Sequence, residues 1–181
     1  MVRLPDPSSY RFCPHCAAPL QPKAMKDGEA ARPWCDVCGF VAYSNPRVAA
    51  CTIAMVDGGI VLLKRANEPQ KGKWVFPGGF VDKGEEVPAA AIRETREEVR
   101  LRVGLTGILD AYSFPGQDVV VVVYAAHVLS GRPEAGDETE AVSCFKPEDI
   151  PWPELGFDST KAALRDYLRR FYPRVRVPRL G

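Results

Sequence analysis

The stretch from Gly78 to Leu101, GGFVDKGEEVPAAAIRETREEVRL, constrains this chain more than any other. Five glutamates fall in it, Glu85, Glu86, Glu94, Glu97 and Glu98, and the last three sit among good helix formers. Pro88 is tolerated only near a first helical turn, so the spacing predicts a helix from Glu86 or Val87 to about Arg100. At about 100° per residue, that helix turns Ile92, Thr95 and Val99 to one side and the three glutamates to the other. Glu94 and Glu98 are like-charged neighbours at i, i+4, an arrangement that weakens a helix unless positive charge sits between them. A hard divalent cation supplies such charge, taking carboxylate oxygens and keeping positions for water and phosphate. Pro77, Gly78 and Gly79 form a turn in which backbone approaches a ligand closely, and Gly84 prepares the helix start.

From Gly79 the residues run G-x5-E-x7-R-E-T-x-E-E-x-R-L. This resembles the signature box of the Nudix hydrolases, G-x5-E-x7-R-E-U-x-E-E-x-G-U with U apolar. Gly79, Glu85, Arg93, Glu94, Glu97, Glu98 and Leu101 occupy matching positions. Thr95 stands where an aliphatic is usual, and Arg100 replaces the late glycine, which puts the shape of the following loop in question. The competing account is a solvated acidic helix face with ion pairs such as Arg93 to Glu97.

The resemblance covers about residues 47–172 and implies an α/β fold, an α/β/α sandwich with a mixed sheet and the box as a loop–helix–loop. It further implies Mg²⁺ or Mn²⁺ bridging a diphosphate, held by Glu94, Glu97, Glu98 and the carbonyl of Gly78. Glu85 is then a weaker or structural contributor, and Arg93 orients a neighbouring glutamate through a charge-assisted bond. Family members take the base from the box or from a loop beyond the long strand, where Glu138 and Glu140 stand here. Glu138 is the preferred candidate, which makes Glu94, Arg93 and Glu138 the catalytic set. Arg65, Lys73 and Gly79 are the substrate-binding candidates, although ordinary solvated charge is the better account of Lys71 and Lys73.

The six cysteines divide unequally. Cys13, Cys16, Cys35 and Cys38 form C-x2-C-x18-C-x2-C, the spacing of a four-thiolate zinc ribbon in which each pair wraps two sulfurs around one tetrahedral ion. A segment this short builds no core unaided, so bound zinc would supply its folding energy. His15 is read as a bystander, and Cys51 and Cys144 as small buried hydrophobes. The ribbon serves either as a structural clip or as the contact of a homodimer.

These features divide the chain into a lead at 1–12, a zinc ribbon at 13–43, a hydrolase domain at 47–172 and a tail at 173–181. Within the large domain VAACTIAMVD and IVLLKR read as a hairpin turning at Gly58-Gly59. Leu101 to Ala111 reads as a strand, and Val119 to Val128 as a strand buried on both faces. AVSCF is strand-like, and a second helix is expected from Lys161 to Tyr172, with its start at Asp158-Ser159-Thr160.

A formal net charge of +1 gives no global field to gather nucleic acid or an acidic membrane. No apolar run is long enough to span a bilayer, the first residues lack a signal-peptide core, and a cytoplasmic protein is expected. The ribbon and the arginines at 165, 169, 170, 174, 176 and 179 allow an RNA-binding reading, with or without turnover. Against it, the ribbon shows no evident stacking platform interleaved with basic residues, so a nucleic-acid partner is not expected. A ribbon ahead of this box is similar to NADH pyrophosphatases and to relatives acting on ADP-ribose or FAD. The NADH enzymes carry S-Q-P-W-P-F-P-x-S after the box, whereas this chain has Tyr112-Ser113-Phe114-Pro115-Gly116-Gln117 there. ADP-ribose hydrolases often have a proline at about the distance of Pro115 beyond the box. Cleavage of ADP-ribose or FAD to AMP and a phosphorylated remainder is therefore favoured, with NADH or a capped RNA 5′ end as the alternative.

Overall fold

The computed structural model describes residues 7–178, and the chain divides after Pro46 into two compact units. Met1 to Asp6 of the expected lead and Arg179 to Gly181 of the tail lie outside the described residues.

The first unit is a pair of knuckles joined by a hairpin. β1 (Gln21–Lys23) pairs antiparallel with β2 (Arg32–Trp34). The knuckles repeat one another: Ala17 N–H donates to the Cys13 carbonyl at 2.9 Å and Gly39 N–H to the Cys35 carbonyl at 3.0 Å. Ala17 and Gly39 both adopt positive φ, 59° and 76°, which reverses the chain just past each cysteine pair.

The second unit is a mixed sheet between two helices. β3 (Arg47–Val56), β4 (Gly59–Arg65), β5 (Trp74–Val75), β6 (Gly78–Phe80), β7 (Arg102–Tyr112), β8 (Val119–Ser130) and β9 (Thr139–Phe145) make a seven-stranded sheet. Its main path runs β5-β4-β3-β8-β7, with β6 paired to β3 and β9 to β4. β3 and β8 run parallel, and the other pairs are antiparallel. The hairpin between β3 and β4 turns at Asp57-Gly58, one residue earlier than the sequence suggested. Both residues have positive φ, 50° and 79°, the primed turn whose twist suits a tight hairpin.

Side chains alternate between two cores. Cys51, Ile53, Ile60, Leu62, Val123 and Ala125 pack with Ala163, Leu164, Tyr167 and Leu168 of α2 (Asp158–Phe171). On the opposite face Ala50 packs with Ala90 and Ala91 of α1 (Val87–Val99), and Ala54, Val61 and Leu63 pack with Val99 and Leu101. This is the expected α/β/α arrangement, the sheet closed on each side by one helix.

Four further details differ from what the sequence predicts. The doubly covered strand is β3, buried from Ala50 to Ala54; β8 buries only Val123 and Ala125, because α1 lies mainly over β3 and neither helix covers β8 to the same extent. Ile92 is 38% exposed, since Ala90, Ala91, Thr95 and Val99 already cover the sheet-facing side of α1. Cys144 is exposed while Cys51 is buried. Arg165 is buried, unlike Arg169 and Arg170.

Arg100 takes the conformation expected of glycine. Its φ of 59° and ψ of 20° form a left-handed C-cap, with its N–H donating to the Arg96 carbonyl, so the loop keeps the usual exit. Beyond α2 the Tyr172 hydroxyl meets Met55 Sδ at 2.7 Å, and Val175 and Val177 pack on the larger core.

Candidate metal and diphosphate site

The box helix lies against Gly78 and Gly79, which form a short strand paired to β3 and not the turn expected of them. Gly78 and Gly79 belong to β6, whose partners on β3 are Cys51 and Ala50. Neither glycine has room for a side chain: a Cβ on Gly78 would strike Cys51 Sγ, and one on Gly79 would lie 2.5 Å from the Glu94 carboxylate. The missing side chains let two consecutive peptide units pass directly beside the acidic face of α1.

Arg93 organises that face. Nε and Nη2 donate to Glu85 Oε1 and Oε2 at 2.8 and 2.9 Å, a bidentate pair, and Nη1 donates to Glu94 Oε1 at 2.7 Å and Glu97 Oε2 at 3.2 Å. Nη2 also reaches the Phe80 carbonyl at 3.2 Å. The Arg93–Glu97 pair expected of a solvated helix is thus present, but as one spoke of a hub. Arg93 and the Asp82 amide hold the Glu85 carboxyl at about 2, well below its usual range.

Glu98 stands apart from the hub. Its Oε2 accepts the Gly78 N–H at 2.8 Å. Burial pushes its pKa up to about 7; the charges of Glu94 and Glu138 add to this, and the Gly78 amide and Arg65 oppose it. Burial also raises Glu94, against the pull of Arg93. Glu138 is exposed and acts electrostatically on both box glutamates, while the Glu138 carbonyl accepts Ala66 N–H at 3.2 Å. Arg65 is turned to the Pro69 carbonyl at 2.8 Å, with its guanidinium 5.4 Å from the Phe157 ring. The Lys73 ammonium lies 3.5 Å from the Pro153 carbonyl.

Two further supports join residues far apart in sequence. Thr52 and Thr95 hydroxyls meet at 2.7 Å in full burial, tying β3 to α1 between the glutamates. Gly136 N–H and Thr139 Oγ1 both donate to the Glu98 carbonyl, at 2.9 and 3.0 Å. The unusual threonine in the box is the one signal that points to the first.

The four ribbon thiols form a cage. Cys13 and Cys38 sulfurs lie 3.5 Å apart, as do those of Cys16 and Cys35, and all four fall within 4.8 Å of one another. A tetrahedral ion with bonds of ~2.3 Å separates its sulfurs by ~3.8 Å, so the cage fits zinc. Burial opposes ionisation of Cys13, yet the His15 and Cys16 amides bring it down to about 7. His15 gives this amide and packs its ring at a tilt against Phe40, the centroids 4.8 Å apart.

Arg93 engages Glu94 and Glu97 while the Gly78 amide engages Glu98, so the three carboxylates are held by different partners. The donor set nevertheless fits a divalent cation. It offers hard oxygens on one rigid face, beside a glycine backbone, with Glu98 burdened by burial that a cation would relieve. No described helix is long and apolar enough to cross a membrane.

Residues 45–170 match a family model described as NUDIX domain, and residues 11–44 match one described as Nudix N-terminal. An ADP-ribose pyrophosphatase of Methanocaldococcus jannaschii is 36% identical over 138 residues, 74% of this chain and 80% of that protein. A protein of Chromobacterium violaceum named NAD-capped RNA hydrolase NudC is 32% identical over 146 residues, 79% of this chain but only 52% of the relative. This chain therefore spans about half the length of that relative. Among solved structures, a NUDIX hydrolase from Nitrosomonas europaea is 28% identical, with a TM-score of 0.83 over 95% of this chain and 98% of the other.

Proposed function

The chain belongs to the NUDIX family, whose members are hydrolases that use divalent metals, and we propose that it cleaves the diphosphate of a nucleoside diphosphate derivative. ADP-ribose and FAD are the favoured substrates, giving AMP and a phosphorylated remainder. The reading is supported most by Glu94 and Glu98 lying against the Gly78-Gly79 backbone, where two amide planes and two carboxylates converge. The named activity of the Methanocaldococcus relative, which this chain covers to 80% of its length, favours ADP-ribose.

Glu94, Glu97, Glu98 and the Gly78 carbonyl would hold Mg²⁺ or Mn²⁺, which when bound neutralises diphosphate oxygens and makes water more acidic. Arg93 keeps Glu94 and Glu97 aligned by charge-assisted bonds. Glu138 accepts the proton of the attacking water. The P–O–P bridge breaks, the new P–O bond forms on the attacked phosphorus, and the departing phosphate retains the bridging oxygen. Arg65 offers its guanidinium to a phosphate oxygen. Lys73 serves phosphate only after leaving the Pro153 carbonyl, while the Gly79 backbone lines the approach.

The relatives named as NAD-capped RNA hydrolases support a second reading, in which the diphosphate belongs to NADH or to a capped RNA end. A panel of ADP-ribose, FAD, NADH and a capped oligonucleotide, with products identified, decides between them. AMP and ribose 5-phosphate from ADP-ribose at the highest kcat/KM is the expected result. Absence of divalent-dependent release of any nucleoside monophosphate across the panel overturns the proposal. A cytoplasmic setting accords with the reduced thiols that the zinc cage requires.

A further inference from the structure

Folding of the ribbon assembles a surface that the linear order of residues conceals. Antiparallel pairing sets Lys23 directly opposite Arg32 and Gln21 opposite Trp34, so these four side chains share one face of the hairpin. Lys23 Nζ lies 3.7 Å from the centroid of the Trp34 ring, and Arg32 Cζ lies 5.4 Å from that of Tyr43. Two cation and ring pairs therefore stand side by side.

Like charges directly opposite each other weaken a strand pair. Glu29 answers Arg32 at 2.9 Å, while no described carboxylate pairs with Lys23. Tyr43 is 56% exposed and Trp34 is half-buried, so both side chains keep solvent-facing surface next to the cations that lie over their rings. Such a surface suits a ligand with regularly spaced negative charges and flat rings between them. A duplex hides its ring faces in its own stack, whereas a single strand can turn them outward.

We propose that this face binds a single-stranded polynucleotide, with Lys23 and Arg32 on backbone phosphates and bases lying against Tyr43 and the open part of Trp34. The inference does not rest on the hydrolase reading, since it concerns binding by the ribbon unit alone. Stacking on rings is tolerant of sequence, so no base preference is built in.

The test uses the full-length, zinc-loaded chain and fluorescent RNA and DNA 12-mers with 5′-hydroxyl ends, which contain no diphosphate. Binding of either strand supports the proposal, and the ratio of the two identifies the natural polymer. Two phosphate contacts weaken affinity about sevenfold between 50 and 200 mM salt. Tyr43→Ala loosens the complex roughly tenfold and Tyr43→Phe restores it, whereas Lys23→Gln halves the salt slope. Zinc content and ADP-ribose turnover stay at wild-type levels in all three variants, which separates lost binding from a lost fold. Failure of both strands to bind at low salt overturns the proposal. So does equal binding of the duplex, tighter binding of poly-glutamate, or indifference to Tyr43→Ala.

Discussion

The Gly78 N–H donates to Glu98 Oε2 at 2.8 Å, binding the backbone of β6 to a carboxylate of the box helix. That bond is not enough to keep Glu98 an ordinary acid, because burial lifts its pKa to about 7. The folded chain then holds this proton more tightly than the unfolded chain, whose value is 4.5. Its contribution to stability is full below about 4.5 and is lost as pH rises through about 7. Without added divalent cation, wild type should lose on the order of 2 kcal/mol relative to Glu98→Gln between pH 5 and 8. Thermal unfolding of the two proteins across that range measures it. Added Mg²⁺ should stabilise wild type more at pH 8 than at pH 5, as a cation competes with the proton.

Arg93→Lys keeps the charge and loses the fork. A single ammonium cannot serve both oxygens of Glu85 together with Glu94 and Glu97, so about 1–3 kcal/mol of stability should go. Turnover should fall by at least about tenfold, with more Mg²⁺ needed for half-maximal rate. A metal titration of kcat is the check, and an unchanged titration midpoint would show that the hub does not align the ligands.

The Thr52–Thr95 contact has a definite polarity. Thr95 Oγ1 donates to the Ala91 carbonyl at 2.7 Å, so the proton between the two hydroxyls belongs to Thr52. Thr95→Val, the aliphatic usual in the box, would leave that buried donor without an acceptor at a cost of about 1–3 kcal/mol. The double variant with Thr52→Val should recover part of it. Denaturant unfolding of the two singles and the double gives the coupling.

Arg100→Gly should stabilise the chain by about 1 kcal/mol, because the left-handed cap is strained for a residue with a Cβ. The lost ion pair to Asp137, at 3.4 Å and with Asp137 fully exposed, offsets little of this. A higher midpoint in urea with an unchanged slope is the expected signature.

Cys35→Ser removes one wall of the thiol cage and should release the tightly bound zinc equivalent. Metal analysis after exhaustive dialysis reads this directly. Retention of one equivalent would mean that another residue completes the site.

The box was legible because its residues are held at fixed spacing on one element, where sequence distance converts to angle. The knuckles were legible for the same reason. What crosses between elements was not. Glu85 meets Arg93 only when the loop folds back, and Thr52 finds Thr95 only through the pairing of β3 under α1. Apolar content marked Val119 to Val128 as a strand, but burial depends on which neighbours flank it, and that honour fell to β3. Very short strands such as β5 and β6 have no periodicity to read.

Gly136 settles how the acidic loop before β9 can behave. A Cβ there would overlap the Glu97 carbonyl, and the loop's Glu134, Gly136 and Thr139 satisfy the carbonyls of Val99 and Glu98. The segment that carries Glu138 is therefore the stopper of the box helix and cannot swing out as a lid without uncorking it. Lengthening this loop would set Glu138 adrift and fray the helix end in the same stroke.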